Sequence, residues 1–433
     1  MKILWFITNL NYRQNDPYFG CGWISSLLDK IILQDNVEVA LAFFSDNVKT
    51  LIVHKERRYT QYVIPEYLNK LDKIKRNLTF TDYLFEERET ILLSILDQYN
   101  PDIIHVFGTE CPFGLLAAKT KIPVVIHLQG ILNPYVRKWF PSGYNNFKVF
   151  SNTSLLKIIK LSGYWADYIR QKKLARREVE IFNVTHFFSG RTDWDRRIVG
   201  LMSPSSTYYH CEEMLRPAFY LNKWRIPEKN NSIHLISTIN PNMYKGIETI
   251  LETAKHLKKF SNFQFKWTVA GVSPDSILVK IFTHKTKISA SSVNVDFIGP
   301  TQESTLIKKM LDSDIFIHPS HIDNSPNSLC EAMVLGMPII STNVGGIQSL
   351  LIDQKEGILV QDGETYGLAG AILELINDPS KRNSYGQAAH LRAIKRHEPN
   401  EIVKQQLIIY QEIIKKSHDK EISGVTYLPQ SEK

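Results

Sequence analysis

Short, unbroken apolar runs, several of them ending in a loop that carries glycine, constrain this chain more than any other feature. The first half holds four of them: Lys2 to Thr8, Val37 to Phe44, Ile103 to Phe107 and Pro123 to Leu128. Their apolar residues are consecutive rather than alternating, so each strand is covered on both faces, as in a parallel sheet wrapped by helices. The first run exits through Gly20 and Gly22 into Trp23 to Leu33, where Ile24, Leu27, Leu28, Ile31 and Ile32 fall at helical spacing. Later exits carry Gly108 and Gly130.

The second half repeats this grammar. Strands are predicted at Ile233–Ile236, Gln264–Ala270, Val293–Ile298, Ile315–His318 and Pro338–Ser341. Helices are predicted at Gly246–Leu257, Glu303–Leu311, Asn327–Leu335 and Thr365–Ile376. Two such series imply an α/β chain of two doubly wound, Rossmann-like domains facing across a cleft. The polar, proline-broken stretch Asn222 to Asn231 marks the junction, giving domains 1–225 and 226–400. A helix over 401–417 is expected to reach back to the first domain, with a frayed end from Ser417.

Length and composition agree: 433 residues, 43% hydrophobic and 22% charged, with Gly and Pro dispersed, exclude disordered and fibrous classes. Cys21, Cys111, Cys211 and Cys330 are far apart and form no CxxC pair, so neither a zinc site nor a disulfide framework is expected. The five apolar residues Ile3 to Ile7 are too few for a signal-peptide core, and no apolar run has the length of a membrane span, so a cytoplasmic location is expected. The net charge of +8 belongs to the first half, where 30 basic residues face 22 acidic ones up to residue 225. Between Cys111 and Arg177 twelve basic residues meet one acid, Asp167. Aromatic Tyr164, Trp165 and Tyr168 among these lysines fit either an ordinary solvated helix or peripheral contact with an anionic membrane. No nucleic-acid motif accompanies the charge.

The loop after His318 carries the most chemistry. Ser325 and Pro326 read as N-cap and first residue of a helix that Gly336 stops, leaving free N–H groups at 325 to 328 as an anion site. Asp323 and Glu331, eight positions apart, can line one pocket and accept from a vicinal diol. A turn-opening Asp323 and a Glu331 that merely favours the helix dipole fit the spacing equally well.

The segment from Asp323 to Gly346, DNSPNSLCEAMVLGMPIISTNVGG, strongly resembles the E-x7-E region of family 4 retaining glycosyltransferases with the GT-B fold. Asn240 to Ile247, Val295 to Gly299, Asp314 to Ser320 and Glu356 to Val360 continue the resemblance. Gly20-Cys-Gly22, Pro101 to Gly108, Ile122 to Gly130, Arg191 to Asp195 and Tyr208 to Pro217 extend it, more weakly, through the first half. The resemblance implies transfer of a hexosyl-type sugar from a nucleotide-diphosphate sugar to a glycan or lipid-linked acceptor, in cell-surface polysaccharide biosynthesis. The first domain would bind the acceptor and the second the nucleotide-sugar. Glu331 would hold the ribose, and Asp323 with the backbone of Asn324, Ser325, Pro326, Asn327 and Ser328 would surround sugar and diphosphate. Lys245 would pair with the diphosphate, with Gly20 and Gly22 on the donor side; taken without the resemblance, Lys245 reads better as a solvated lysine at a helix entry.

Three positions depart from the family pattern. The first acid of the motif is Asp323 rather than Glu. Asn240 replaces an arginine, for which Arg191 is the candidate substitute, and Gln129 replaces a histidine, with His127 two residues earlier on the same strand face. Gln129 can donate a hydrogen bond but cannot act as a base. The mechanism generally discussed for the family tolerates this, since a diphosphate oxygen takes the acceptor proton. No metal and no cofactor are expected, and Asp193 and Asp195 read as structural or acceptor-side. The alternatives are a silent subunit of a biosynthetic complex, or an epimerase or phosphorylase on the same fold.

Overall fold

The structure, a computed structural model, describes residues 1–8, 22–66, 69–80, 84–151, 155–227 and 232–423. The first half builds one sheet from β1 (Lys2–Phe6), β2 (Glu38–Ser45), β3 (Ile52–Lys55), β4 (Tyr59–Pro65), β5 (Ile103–Phe107), β6 (Val124–His127), β7 (Phe187–Gly190) and β8 (Thr207–His210). Its order is β3-β4-β2-β1-β5-β6-β7-β8, parallel except for the β3–β4 hairpin at one edge. The second half contributes β9 (Ser232–Thr238), β10 (Gln264–Ala270), β11 (Val295–Gly299), β12 (Ile315–His318), β13 (Ile339–Thr342) and β14 (Ile358–Val360). These pair in the order β11-β10-β9-β12-β13-β14, all parallel.

The apolar runs become central strands because helices bury both their faces. Ile3 and Trp5 point into a core shared with the helix Gly22–Ile31, while Leu4 and Phe6 enter a second core on the opposite face. The second sheet is sandwiched in the same way. Its larger core also takes in Trp139, Val149 and Trp165 from the first half, so the segment after β6 leans across onto the second sheet.

The chain crosses back at its far end. The helix Pro399–Ser423 sends Ile402, Val403, Ile409, Tyr410 and Ile413 into the core beneath β1. The Tyr410 hydroxyl accepts from Trp5 Nε1 at 3.1 Å and lies 2.5 Å from His105 Nδ1. The helix therefore continues past Ser417, where the sequence pattern ends, because its buried face holds the preceding turns. Sequence periodicity also passed over β3, β4, β7 and β8, which are short or lie toward the sheet's margins.

Candidate functional site

Parallel strands deliver their following loops to one edge, and here the two sheets present those edges to each other. On the second domain, Gly246 takes a positive φ of 75°, and a Cβ there would sit 2.1 Å from the carbonyl oxygen of Pro319. That close approach seats Lys245 against the loop after β12. Lys245 Nζ donates to Asp323 Oδ2 at 2.5 Å, with both side chains almost fully buried. His318 Nε2, at the end of β12, lies 3.1 Å from the same oxygen. Burial alone would raise the Asp323 pKa, but the ammonium and the imidazole outweigh it and hold the carboxyl well below the usual carboxylate range. Gly345 and Gly346 pack on the backbone of Asp323 and Asn324, where Cβ atoms would approach the two carbonyl oxygens to 1.9 and 2.3 Å.

The helix Asn327–Leu335 has the bounds the sequence indicated, but its cap sits one residue later than Ser325: Pro326 is the N-cap, and Ser325 turns its hydroxyl to Glu213 at 2.5 Å. Proline at 326 has the extended backbone of a cap residue, and its carbonyl accepts from the N–H groups of Leu329 and Cys330. Asn327 and Ser328 are half-buried at the helix entry. Glu331 is buried and gripped by Arg216, whose Nε and Nη2 donate to its two oxygens at 2.7 and 2.8 Å. Burial raises the Glu331 pKa against the pull of this guanidinium. Gly22 opens its helix against the Arg216 stem, where an added Cβ would lie 3.0 Å from Cδ. Gly20 lies outside the described residues.

The opposing wall comes from the first domain. Tyr135 donates toward Asp323 Oδ1 at 3.3 Å and accepts from the Asn324 N–H at 3.1 Å. Asn324 Nδ2 donates to the Gln129 carbonyl and to Asp195 Oδ2, while the Thr192 hydroxyl donates to Asn324 Oδ1 at 2.6 Å. Gln129 itself leaves a buried Nε2 without a protein partner. His127 is buried with both ring nitrogens unpartnered; burial, then the nearby Arg191 charge, keeps it neutral. Arg191 is buried too, donating to the carbonyls of Leu128 and Gln129 and lying 3.7 Å from Glu213. Its charge is thus already matched by a carboxylate within the protein. Asp195 caps its own helix in a capping box with Thr192, a structural role and one of the two the sequence left open for it. Asn240 is exposed, bonded only to Asn242 among the contacts seen.

The sequence did not single out Arg216, His318, Tyr135 or Glu213. Arg216 precedes a proline in the interdomain segment, and only the fold brings it to Glu331, 115 positions away. Glu110, two residues beyond Gly108, is a further such group: burial pushes its carboxyl up to about 7, and its Oε2 has no partner. Glu213, Cys330 and His397 put potential ligand atoms within 4.8 Å of one another, the one such group among the described residues. Arg191 beside Glu213 already supplies a positive charge there.

Residues 218–392 match the family model described as glycosyl transferases group 1. Among curated proteins, the chain is 24% identical over 311 residues to WcaL of Salmonella typhimurium, named for colanic acid biosynthesis as a glycosyltransferase; the match spans 69% of this chain and 68% of that protein. Other curated relatives are matched over only 23% to 42% of their own lengths. In fold, the chain is similar to sucrose-phosphate synthase of Thermosynechococcus elongatus, at a TM-score of 0.70 and 14% identity over 96% of this chain and 100% of that one. It is also similar to HepE of Anabaena, solved in complex with UDP, at 0.62 and 15% over 95% and 100%. The architecture is GT-B, two Rossmann-like domains facing across a cleft.

Proposed function

We propose that this protein is a glycosyltransferase that moves a hexosyl-type sugar from a nucleotide-diphosphate sugar to a glycan or lipid-linked acceptor, with retention, in the building of a cell-surface polysaccharide. The observation that carries the reading is the paired arrangement on the second domain: buried Glu331 held at the entry of the helix Asn327–Leu335, with Lys245 beside Asp323 on the loop before it. The group 1 family match over 218–392 contains Lys245, Asp323 and Glu331.

In this reading Glu331 accepts from the ribose diol with the lone pairs that Arg216 leaves open, since a carboxylate has about four acceptor sites. Lys245 turns from Asp323 toward the departing diphosphate, stabilising the charge that develops as the glycosidic bond breaks. Asp323, kept ionised, is then free to accept from a sugar hydroxyl. The acceptor hydroxyl attacks from the face the diphosphate leaves, and a diphosphate oxygen takes its proton. The first domain's Gln129 and Tyr135 face the reacting sugar as hydrogen-bonding groups, so the protein's part is to position and to stabilise charge. The reading calls for no metal or cofactor. No helix among the described residues is long and apolar enough to cross a membrane, and we place the protein in the cytoplasm, in peripheral contact with the membrane.

The test is thermal stabilisation by UDP, GDP, ADP and their sugar conjugates, beside Glu331→Gln, which keeps the side-chain volume. A nucleotide at 100 times its Kd adds about 2.7 kcal/mol of stability. One nucleotide series should shift the melting of the parent and fail with the variant, and its sugar conjugate should turn over. Binding without turnover or slow hydrolysis would favour a silent subunit; no shift with any nucleotide would overturn the donor pocket.

A further inference from the structure

We propose that the helices Lys70–Thr79, Asn146–Ser151 and Leu155–Ile159 form a docking face that seats the protein on an anionic lipid surface. The first helix is the anomaly. Its sequence KLDKIKRNLT places Leu71, Ile74 and Leu78 on one side, and a capping box between Asn69 and Asp72 fixes its start. An amphipathic helix ordinarily turns such a stripe inward. Here the stripe faces out, with Leu71, Ile74 and Leu78 exposed by 73%, 53% and 63%.

The neighbouring helices do the same. Phe147 and Ile159 are exposed by 76% and 69%, and Phe150 also reaches the surface. Six of the 17 large apolar side chains exposed among the described residues come from these three short helices, so the exposure is concentrated rather than scattered. They are neighbours in space as well, the third helix through Leu161 just past its end, whose carbonyl accepts from Arg170, itself 5.7 Å over the ring of Phe80. The ring of Phe80, which ends the first helix, packs edge-on against Trp165 at 5.7 Å, and Phe150 packs against the same indole at 5.2 Å. Lys173 donates to the carbonyl of Thr79 and ties the first helix to the long helix Tyr164–Val184.

Charge selects the occupant. Residues 141–163 contain three lysines and no acid, and residues 69–80 contain four basic residues, of which Arg76 pairs with Glu66, against Asp72, which the capping box already uses. Exposed apolar side chains interleaved with lysine suit the boundary between acyl chains and anionic headgroups, where the stems bury and the ammonium groups reach phosphate. The core of a protein–protein interface is instead depleted of lysine. Location agrees with this occupant. Tyr168, one turn along from Trp165, touches Trp139 at 6.4 Å, and Trp139 touches Tyr244, the neighbour of Lys245, at 5.5 Å. A lipid-linked acceptor rising from that surface would meet the cleft from the first-domain side; this last link rests on the transferase reading, whereas the lipid contact itself does not.

The experiment is co-sedimentation of the full chain with vesicles of phosphatidylglycerol and phosphatidylcholine in equal parts, and with pure phosphatidylcholine. The parent should pellet with the anionic vesicles and stay in solution with the neutral ones. Leu71→Ser, Ile74→Ser and Leu78→Ser combined should lower the partition coefficient at least about tenfold while nucleotide stabilisation is unchanged. As a second measurement that leaves the stripe intact, Phe147→Trp should add emission that brominated phosphatidylglycerol quenches. Failure of the parent to bind anionic vesicles, equal binding by the serine variant, or an added tryptophan that brominated lipid leaves unquenched would overturn the proposal. So would a vesicle-free dimer that the serine variant dissociates, since the stripe would then belong to a second copy. Loss of nucleotide stabilisation in the parent would count against the transferase reading alone.

Discussion

The two walls of the cleft solve opposite problems. On the second domain every buried carboxylate near the site has a cation against it: Asp323 has Lys245, Glu331 has Arg216, and His321 lies between Glu248 and Asp362 at 2.5 and 2.6 Å. On the first domain Gln129, Tyr135 and, behind them, His127, whose imidazole burial keeps uncharged, are neutral, while Arg191, Asp195 and Glu213 are already engaged by protein partners. Glu110 is a carboxyl with its Oε2 unpartnered. Paired charge allows a charged ligand to enter by exchanging partners, with little new desolvation. A neutral wall recognises hydroxyl-bearing ligands by shape and hydrogen bonding, at no electrostatic cost.

Breaking a pair on the charged wall should have the largest effect. Lys245→Met leaves Asp323 buried with only His318 and Tyr135 facing it, so urea denaturation should show a loss of about 3–5 kcal/mol, and donor turnover should fall about a hundredfold. Adding Asp323→Asn should recover part of the stability and none of the turnover. His321 comes next. Burial disfavours its charged form, but Asp362 and Glu248 prevail and raise its pKa to about 9. The folded chain therefore keeps a proton that the unfolded imidazole releases near 6.5. The resulting stabilisation, about 2–3 kcal/mol, is complete below that pH and is lost as the pH rises through 9. In His321→Gln this component of the stability-versus-pH profile should vanish.

The neutral wall predicts a smaller effect of opposite sign. With its carboxyl pushed up to about 7 by burial, Glu110 favours the folded state in its protonated form and opposes it when ionised. Glu110→Gln should therefore leave stability unchanged near pH 4.5 and raise it at pH 8 by about 1 kcal/mol, the side chain's partial exposure screening the rest. A loss at pH 8 would show that the ionised carboxylate has a partner and that the contrast between the walls is weaker than drawn.

The charged wall was also the more legible in sequence. Asp323, Asn324, Ser325 and Glu331 lie within nine residues of one another, so local spacing and strand-to-helix grammar place them together. The central strands were legible for the same reason: residues such as Ile3 to Phe6 are apolar on both faces, a local property. What escaped was nonlocal. Tyr135 reaches Asp323 across 188 positions and Arg216 reaches Glu331 across 115, and neither carries a local signature of its partner. The helix cap at 325–326 was misplaced by one residue because Ser325 reads as a cap, whereas the fold spends its hydroxyl on Glu213. Strands β3 and β8 are only half-buried, so their apolar signal is weak.

The helix Pro399–Ser423 has a consequence for how the molecule is made. Tyr410 completes the contacts of Trp5 and His105, some three to four hundred residues upstream. During synthesis the first sheet would thus stand with an uncovered apolar flank until this helix clears the ribosome, after the second sheet has already been delivered. The domain that begins first is the one that finishes last, and the two halves share a single folding schedule although each has its own sheet.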